Sequence, residues 1–357
     1  MLAAAWPLIR DDLGLGYAEI GLLLAIPALV GNIVEPAIGL AGDSGRRRAL
    51  ILAGGAVFTA AVLATAFAPG YAVLMAALVV FWPASGAFVS LSQATLMDLD
   101  ASRRERRMAL WTAAGSVGVV GGPLLLAAAI GAGLGWREAM VPAAAGAALA
   151  TARLARLPLS EHHDGASLVE AARGAVRALR SREVVRWLLL LEAVDLMLDV
   201  LHGFLALYFV DVAGLSAVEA GLALGIWTGA GLVGDLLLVP LLARVRGIAY
   251  LRASAVAVLA VYPCFLLVEP VELKIALLAL LGLLNSGWYA IPKAGLYDAL
   301  PGRSGTVLAI GSVSGQLGAL IPLTLGFVAE ELGLATTMWL LLAAPVALIV
   351  GLPRRRP

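Results

Sequence analysis

Long apolar runs, broken at short intervals by arginine, glycine and acidic residues, make up most of this chain. Between the charged breaks they cover 17–41, 48–68, 71–97, 108–131, 137–157, 187–210, 217–243, 248–268, 274–297, 305–329 and 335–352. Each is close to the roughly 20 residues that an α-helix needs to cross about 30 Å of hydrocarbon. The runs are continuous rather than alternating, which excludes a membrane β-barrel. A short apolar stub at 1–9 precedes them. The pattern predicts an all-α integral membrane protein of eleven full spans plus that stub.

Composition supports the pattern. Of 357 residues, 61% are hydrophobic and 14% charged, with a mean hydropathy of +0.95. Soluble domains are nearer half apolar and a quarter charged. A net charge of +1 argues against a nucleic-acid partner. A single cysteine, Cys264, excludes a disulfide within the chain. The lysines are Lys274 and Lys293, and neither completes a GxxxxGK[ST] phosphate loop. No His-Glu-x-x-His pattern occurs. Neither an enzyme nor a cofactor is expected. Glu161-His162-His163-Asp164 reads as a solvated polar loop or, on residue type alone, as a metal site.

Positive charge sets an orientation. Of the 25 basic residues, 21 fall in one alternate set of loops, from Arg46 to Arg356. Cytoplasmic loops carry such an excess, so that side and the C-terminus are expected to be cytoplasmic, in the plasma membrane. The longest polar break, 158–186, divides the chain into an N-terminal half, 1–157, and a C-terminal half, 187–357. Within it Arg173, Arg177 and Arg180 share one helical face beside Leu168, Ala172, Val176 and Leu179. That reads as an amphipathic linker helix on an anionic leaflet.

A shift of 200 residues aligns the halves. Gly14, Leu15, Glu19, Gly21, Leu22, Leu24, Ile26 and Gly31 match Gly214, Leu215, Glu219, Gly221, Leu222, Leu224, Ile226 and Gly231. Farther along, Ala94, Leu96, Asp98, Arg103, Gly115 and Gly118 match Ala294, Leu296, Asp298, Arg303, Gly315 and Gly318, and Glu35 matches Asp235. Parallel repeats of this kind build transporters. The span 187–210 maps to a region starting about 13 residues before Met1, and the stub at 1–9 makes only about 13 Å of helix at about 1.5 Å per residue, too short to cross. The chain is therefore expected to start inside its first helix, through a misplaced start or a real truncation.

The loop Gly39-Leu40-Ala41-Gly42-Asp43-Ser44-Gly45-Arg46-Arg47-Arg48 resembles the G-x-x-x-D-R-x-G-R-R signature of the major facilitator superfamily, one residue shorter and without the basic residue after the aspartate. Gly135-Trp136-Arg137 resembles a further feature of that family. The resemblance implies two six-helix bundles and a transporter working by alternating access. It also implies a gating role for Asp43, Arg46, Arg47 and Arg48; read without the family, the three arginines fix loop topology. Gly118-Val119-Val120-Gly121-Gly122-Pro123 is similar to the family's g-x-x-x-G-P export motif, so that Gly118, Gly122 and Pro123 point to drug/proton antiport. Close helix packing is the other reading of those glycines.

Span 187–210 holds Glu192, Asp195, Asp199 and His202 among leucines. At 100° per residue these four share an arc of about 80°. Each ionised group at mid-membrane costs about 2.5–3.5 kcal/mol on insertion scales, so the stripe should face a wet cavity or polar partners. Neighbouring carboxylates in a low dielectric take up protons readily, and histidine titrates near neutrality. Asp199, nearest mid-span, is the favoured coupling carboxylate. Glu35 and Asp235 read either as paired gate or proton sites or as partners of loop arginines. Asp98 and Asp298 read as partners of Arg103 and Arg303 or as helix caps. Asn285, Trp288, Tyr289 and Lys293 are candidate cavity residues, Lys293 alternatively reaching for the interface.

The expected function is proton-coupled efflux of a small amphipathic or cationic compound. The alternatives are proton-coupled uptake of a sugar or small metabolite, or a receptor or degenerate remnant. The expected partners are a small-molecule substrate, protons or another coupling ion, and the lipid bilayer. The expected state is a monomer, because the repeat already supplies the two-fold architecture.

Overall fold

A computed structural model describes residues 2–15, 17–157, 168–215, 217–318 and 320–353. Among them there is helix and turn but no strand. Helical segments occupy every expected span. Six of the described helices are long and apolar enough to cross a membrane by length and composition. The Glu161–Asp164 cluster and Arg354–Arg356 lie outside the described residues.

The helices fall into two compact units. Unit 1 comprises Met1–Leu99, Gly118–Leu179 and Leu300–Val313; unit 2 comprises Asp100–Val117, Arg180–Ala299 and Ser314–Pro357. Each unit thus takes a short segment from the other sequence half. Unit 1 contains α1 (Leu2–Leu13), α2 (Tyr17–Ala41), α3 (Arg47–Ala66), α4 (Tyr71–Ser85), α5 (Leu91–Asp98), the second part of α6 (Arg104–Gly131), α7 (Trp136–Arg156) and α8 (Leu168–Ala178). Unit 2 contains α9 (Arg182–Asp195), α10 (Leu201–Leu207), α11 (Ala217–Leu241), α12 (Gly247–Leu267), α13 (Val271–Leu284) and α14 (Ala290–Ala299). α15 (Ser304–Gly318) begins in unit 1, and α16 (Leu320–Leu332), α17 (Leu334–Trp339) and α18 (Ala343–Gly351) complete unit 2.

The stub becomes α1, which buries Ala5 and Ile9 against Val62, Ala66, Leu74, Trp136 and Met140. Asp12 fixes its end, accepting from the Trp136 indole at 3.2 Å and from Arg137 at 2.7 Å. Arg137 also donates to the carbonyls of Ala66 and Ala68 at the end of α3. One guanidinium thereby satisfies helix-end acceptors that would otherwise be stranded. In α8, Gly174 and Ala178 are buried while Val176 and Leu179 are 59% and 41% exposed. Its protein-facing edge is small, and its exposed side carries Arg173 and Arg177 as well as Val176.

In unit 2 the aromatic rings of Tyr208, Phe209, Tyr262 and Phe265 pack together. Lys274 is 5% exposed and donates to Tyr208 Oη at 3.0 Å and to the Phe265 carbonyl at 2.8 Å. Its charge sits at the C-terminal end of α12, the favourable end of that helix dipole. Outward-facing Leu222 and Leu237 are 64% and 61% exposed, as are Ile33 at 64% in α2 and Leu124 at 64% in α6. Such apolar surface suits lipid rather than water.

Among the described residues four expected spans depart from one continuous α-helix, span 335–352 through a 3-10 turn at Leu340–Leu342. Span 71–97 carries a π-helical turn, Gly86–Ser90, just after Pro83, which lacks the N–H that would continue the ladder. Span 187–210 carries π-helical turns at Leu196–Val200 and Tyr208–Val212. Span 274–297 breaks between α13 and α14, at 285–289, where Gly287 takes φ +76°. Pro292 then occupies the first turn of α14, where its missing N–H costs nothing.

Glycines let the backbones approach. A Cβ on Gly282 would stand 2.5 Å from the Trp227 carbonyl oxygen, and one on Gly54 2.9 Å from the Phe88 nitrogen. Gly282→Val is expected to destabilise unit 2 by about 1–3 kcal/mol through overpacking. The check is thermal melting of the detergent-solubilised protein, with Leu280→Val on the exposed face of the same helix as a control.

Candidate functional site

The arginine-bearing end of unit 1 is built around Asp43. α2 ends in a tight turn, with Ser44 at φ −88°, ψ 24° and Gly45 at φ 84°. This aims the Asp43 carboxylate at the first turn of α15. Asp43 accepts from the Gly305 N–H at 2.7 Å and from Thr306 through its N–H at 2.6 Å and its hydroxyl at 2.8 Å. Those N–H groups lack intrahelical partners, and the helix dipole favours an anion there. Gly305 lets this happen, since its Cβ position falls against both the Gly39 carbonyl oxygen and the Asp43 carboxylate.

Arg47 ties the turn together. It bridges Asp43 at 2.8 Å and Asp98 at 2.5 Å, and Asp98 also accepts from Ser304 Oγ. Arg48 instead donates to the carbonyls of Leu157 and Ala155 at the end of α7. Arg46 is exposed. Of the four gating residues expected, Asp43 and Arg47 form one network, while Arg48 holds a different helix end.

Asp98 and Asp298 do not take the partners expected of them. Asp98 binds Arg47 and Ser304, and Asp298 binds Arg104 at 2.6 Å. Arg303 instead lies beside Gly174 of α8, and Arg103 faces Asp100 at 3.5 Å. Adjacent positions win because the side chain at 104 or 304 points at the end of the preceding span, one residue beyond the arginine.

Glu35 and Asp235 are held by serines, not by loop arginines. Ser312 donates to Glu35 at 2.9 Å within unit 1, where Gly86 of the π-helical turn leaves room for the carboxylate. Ser116 donates to Asp235 at 2.7 Å within unit 2, and the Gly287 N–H in the α13–α14 break also bonds it. Asp235 is 9% exposed.

Unit 2 gathers the acidic stripe. Asp195 is half-buried and lies within electrostatic reach of Asp199, Glu192 and the Lys293 ammonium. Glu192 accepts from Ser314 at 2.7 Å. Asp199 belongs to the π-helical turn and is exposed, as is His202, whose ring stands 5.5 Å from that of Trp227. Lys293 is 9% exposed, near the Tyr289 ring; it does not snorkel. Asn285 donates to the Met197 carbonyl at 3.2 Å, which ties the break to the π-helical turn. The Asn285 carbonyl oxygen and the Trp227 indole N–H are buried without a hydrogen-bond partner among the described residues. Trp288, fully buried with its N–H on Ser254, is packing rather than cavity wall.

Trp227, Ser312 and Ser314 were not singled out from the sequence. The serines' signal is weak, small polar residues in an apolar run. In the export-type segment, Gly118 and Pro123 are exposed, Gly122 is half-buried, and a Cβ on Gly118 or Gly121 would meet nothing within 4 Å. Close helix packing does not explain the glycines at 118 and 121.

Among the described residues the protein is helical, with repeat-related carboxylates and a capped turn between α2 and α3, an arrangement that suits a membrane transporter. The family model described as Major Facilitator Superfamily matches residues 1–323, and the chain belongs to that superfamily. It is a multi-pass membrane protein and a transporter, not an enzyme. Its fold is similar to that of the E. coli fucose:proton symporter FucP, with a TM-score of 0.81 at 16% identity, covering 98% of this chain and 92% of that one. The proton:xylose symporter XylE gives 0.72 at 13% identity over 98% and 90%. The human organic anion transporter MFSD10 gives 0.68 at 18% identity over 98% and 88%. No curated protein sequence matches.

Two substitutions test the turn at Asp43. Asp43→Ala leaves the Gly305 and Thr306 donors without their acceptor and is expected to cost about 1–3 kcal/mol. Arg47→Gln leaves Asp43 and Asp98 facing each other and is expected to cost about 3 kcal/mol. Melting temperature in detergent reads both, and an unchanged value in either variant contradicts the role given to that residue.

Proposed function

We propose that this chain is a proton-coupled secondary transporter of a small polar solute, working by alternating access between its two sequence halves. The observation that carries the reading is the group in unit 2: Asp195, half-buried, among Glu192, Asp199 and Lys293. Mutually repelling carboxylates in a poorly hydrated helix bundle gain by sharing a proton. A proton crossing a potential of 100 mV releases about 2.3 kcal/mol, enough to drive a solute uphill by some forty- to fiftyfold.

Uptake together with a proton is the leading direction. The Asn285 oxygen and the Trp227 N–H, buried without a partner among the described residues, are one acceptor and one donor of the kind that solute hydroxyls bind. FucP and XylE, which share the fold, are described as proton symporters of sugars. Efflux of a cationic or amphipathic compound is the second reading. Three carboxylates against one lysine favour a cation, and α6 carries the Gly118–Pro123 segment open at Gly118 and Gly121. An arrangement of eleven spans preceded by α1, the cytoplasmic placing of the arginine-rich loops, the plasma membrane and a monomeric state complete the proposal.

The test is proton flux in proteoliposomes loaded with a pH-sensitive dye. Sugars added on the acidic side are expected to move protons with the solute. Lipophilic cations moving protons instead would select efflux, and silence from both would overturn coupled transport. Asp195→Asn and Asp199→Asn are each expected to lower coupled flux at least about a hundredfold, the scale of a proton-transfer contribution. Coupled flux at the wild-type rate in both variants would sink the assignment.

A further inference from the structure

Unit 2 holds a cavity of roughly 450 Å³ at the N-terminal end of α6, lined by Ser102, Arg103, Arg104, Glu105, Arg106, Leu242, Ala243 and Asp298. Its meaning comes from the repeat. The 200-residue shift places Ala243 where Asp43 stands, and 104–106 where 304–306 stand. In unit 1 the Asp43 carboxylate sits on the first turn of α15. In unit 2 the corresponding position is a methyl group beside the cavity, facing the first turn of α6. The basic residues are concentrated on the same side. Positions 103, 104, 106 and 107 are all arginine, whereas Arg303 is the basic residue in the matching segment 303–307.

The acids in the wall are already engaged. Glu105 accepts from the Gly247 N–H at 3.0 Å, in space that a Cβ on Gly247 would fill. Asp298 accepts from Arg104, whose side chain is 7% exposed. Asp100, at the rim, accepts from the Ser102 hydroxyl at 2.6 Å and the Ser102 N–H at 3.0 Å, which hold its carboxyl below the usual range, and it faces Arg103 and Arg107. Arg104 offsets Asp298, and Arg103 and Arg106 outweigh Glu105, so the wall carries more positive than negative charge. Exposed Arg244 and Arg246 follow Ala243 in the same turn.

We propose that this cavity binds a phosphate-type anion, which does at α6 what the Asp43 carboxylate does at α15. The chemistry is that of guanidinium donors on phosphate oxygens beside a helix start. A phospholipid headgroup and a soluble phosphate both carry it. Basic pockets between membrane helices suit headgroups, while the arginines at the rim are open to water. Binding at this place ties the 242–247 turn to α6. The anion therefore acts on that turn and is distinct from the transported solute.

The test uses the full chain, first in neutral detergent. Inorganic phosphate is titrated against chloride at matched ionic strength while the melting temperature is followed. A saturable rise with phosphate and none with chloride is expected. The same melt is run in nanodiscs of phosphatidylcholine with and without phosphatidic acid. A rise in the detergent series alone assigns the soluble ion, and a rise with phosphatidic acid alone assigns the headgroup; either supports the site. Arg103→Gln with Arg106→Gln is expected to raise the half-saturating phosphate about tenfold or more. Ala243→Asp, which supplies the carboxylate internally, is expected to lose the response while melting no lower than wild type without anion. Equal shifts with chloride, no shift in either series, or an unchanged response in both variants would overturn the proposal.

Discussion

A carboxylate placed among leucines must be given a partner, and in this protein the partners determine how the helices lie. Glu35, Asp235 and Glu192 each accept from a serine hydroxyl, from Ser312, Ser116 and Ser314 respectively. None of these serines belongs to the same helix as its acid. Each bond therefore fixes one helix against another at a chosen height, in a setting where apolar contacts alone leave sliding and rotation cheap. A serine also lets go easily. It neutralises no charge. An arginine at the same place would hold it in an ion pair.

The ends of the helices follow a different rule. There the unsatisfied groups are backbone N–H and C=O, and charged side chains serve as caps. Asp43 caps α15, Arg137 takes the end of α3, Arg48 takes the end of α7 and Lys274 the end of α12. The repeat reuses this scheme with its parts exchanged. Positions 98 and 298 are both aspartate, and each accepts from position 304 or 104, a serine in one unit and an arginine in the other. Position 43 is an acid and position 243 is not, while position 105 is an acid and 305 is not. The loop carboxylate of one unit becomes a helix carboxylate in the other, where it accepts from the Gly247 N–H.

What could be read from the sequence follows from this division. Apolar runs are long and their breaks are charged, so the helical segments emerge within a few residues of where the pattern puts them. The turn at Asp43 is legible because Asp43, Gly45 and Arg47 lie within five residues of one another. Its targets, Gly305 and Thr306, are more than 260 positions away, and no local period points to them. The stripe from Glu192 to His202 is legible as a helical arc, but the π-helical turn at Leu196–Val200 is not. The extra residue per turn there rotates Asp199 and His202 relative to Glu192 and Asp195, and hydropathy is blind to it. The break at 285–289 did leave a local trace, Asn285-Ser286-Gly287 followed by Pro292. Read as turn chemistry, it divides the span 274–297 in two.

That break and the π-helical turn belong together. Asn285 donates to the Met197 carbonyl inside the turn, and a π-helical turn is where a helix backbone deviates from its regular bonding. Asp235 holds the other side of the break through the Gly287 N–H, and Ser116 holds Asp235. A chain of hydrogen bonds therefore runs from α6 through α11 and the break to the turn carrying Asp199. Every member is a side chain on backbone or on a side chain, and none is a salt bridge. Protonation at Asp235 would weaken its acceptor end and loosen the break, and a shift at Met197 would reach Asp199 from the opposite direction. The two irregular segments are mechanically one element, so a carboxylate matched by repeat to Glu35 and a carboxylate of the acidic stripe are coupled through the backbone although they never touch.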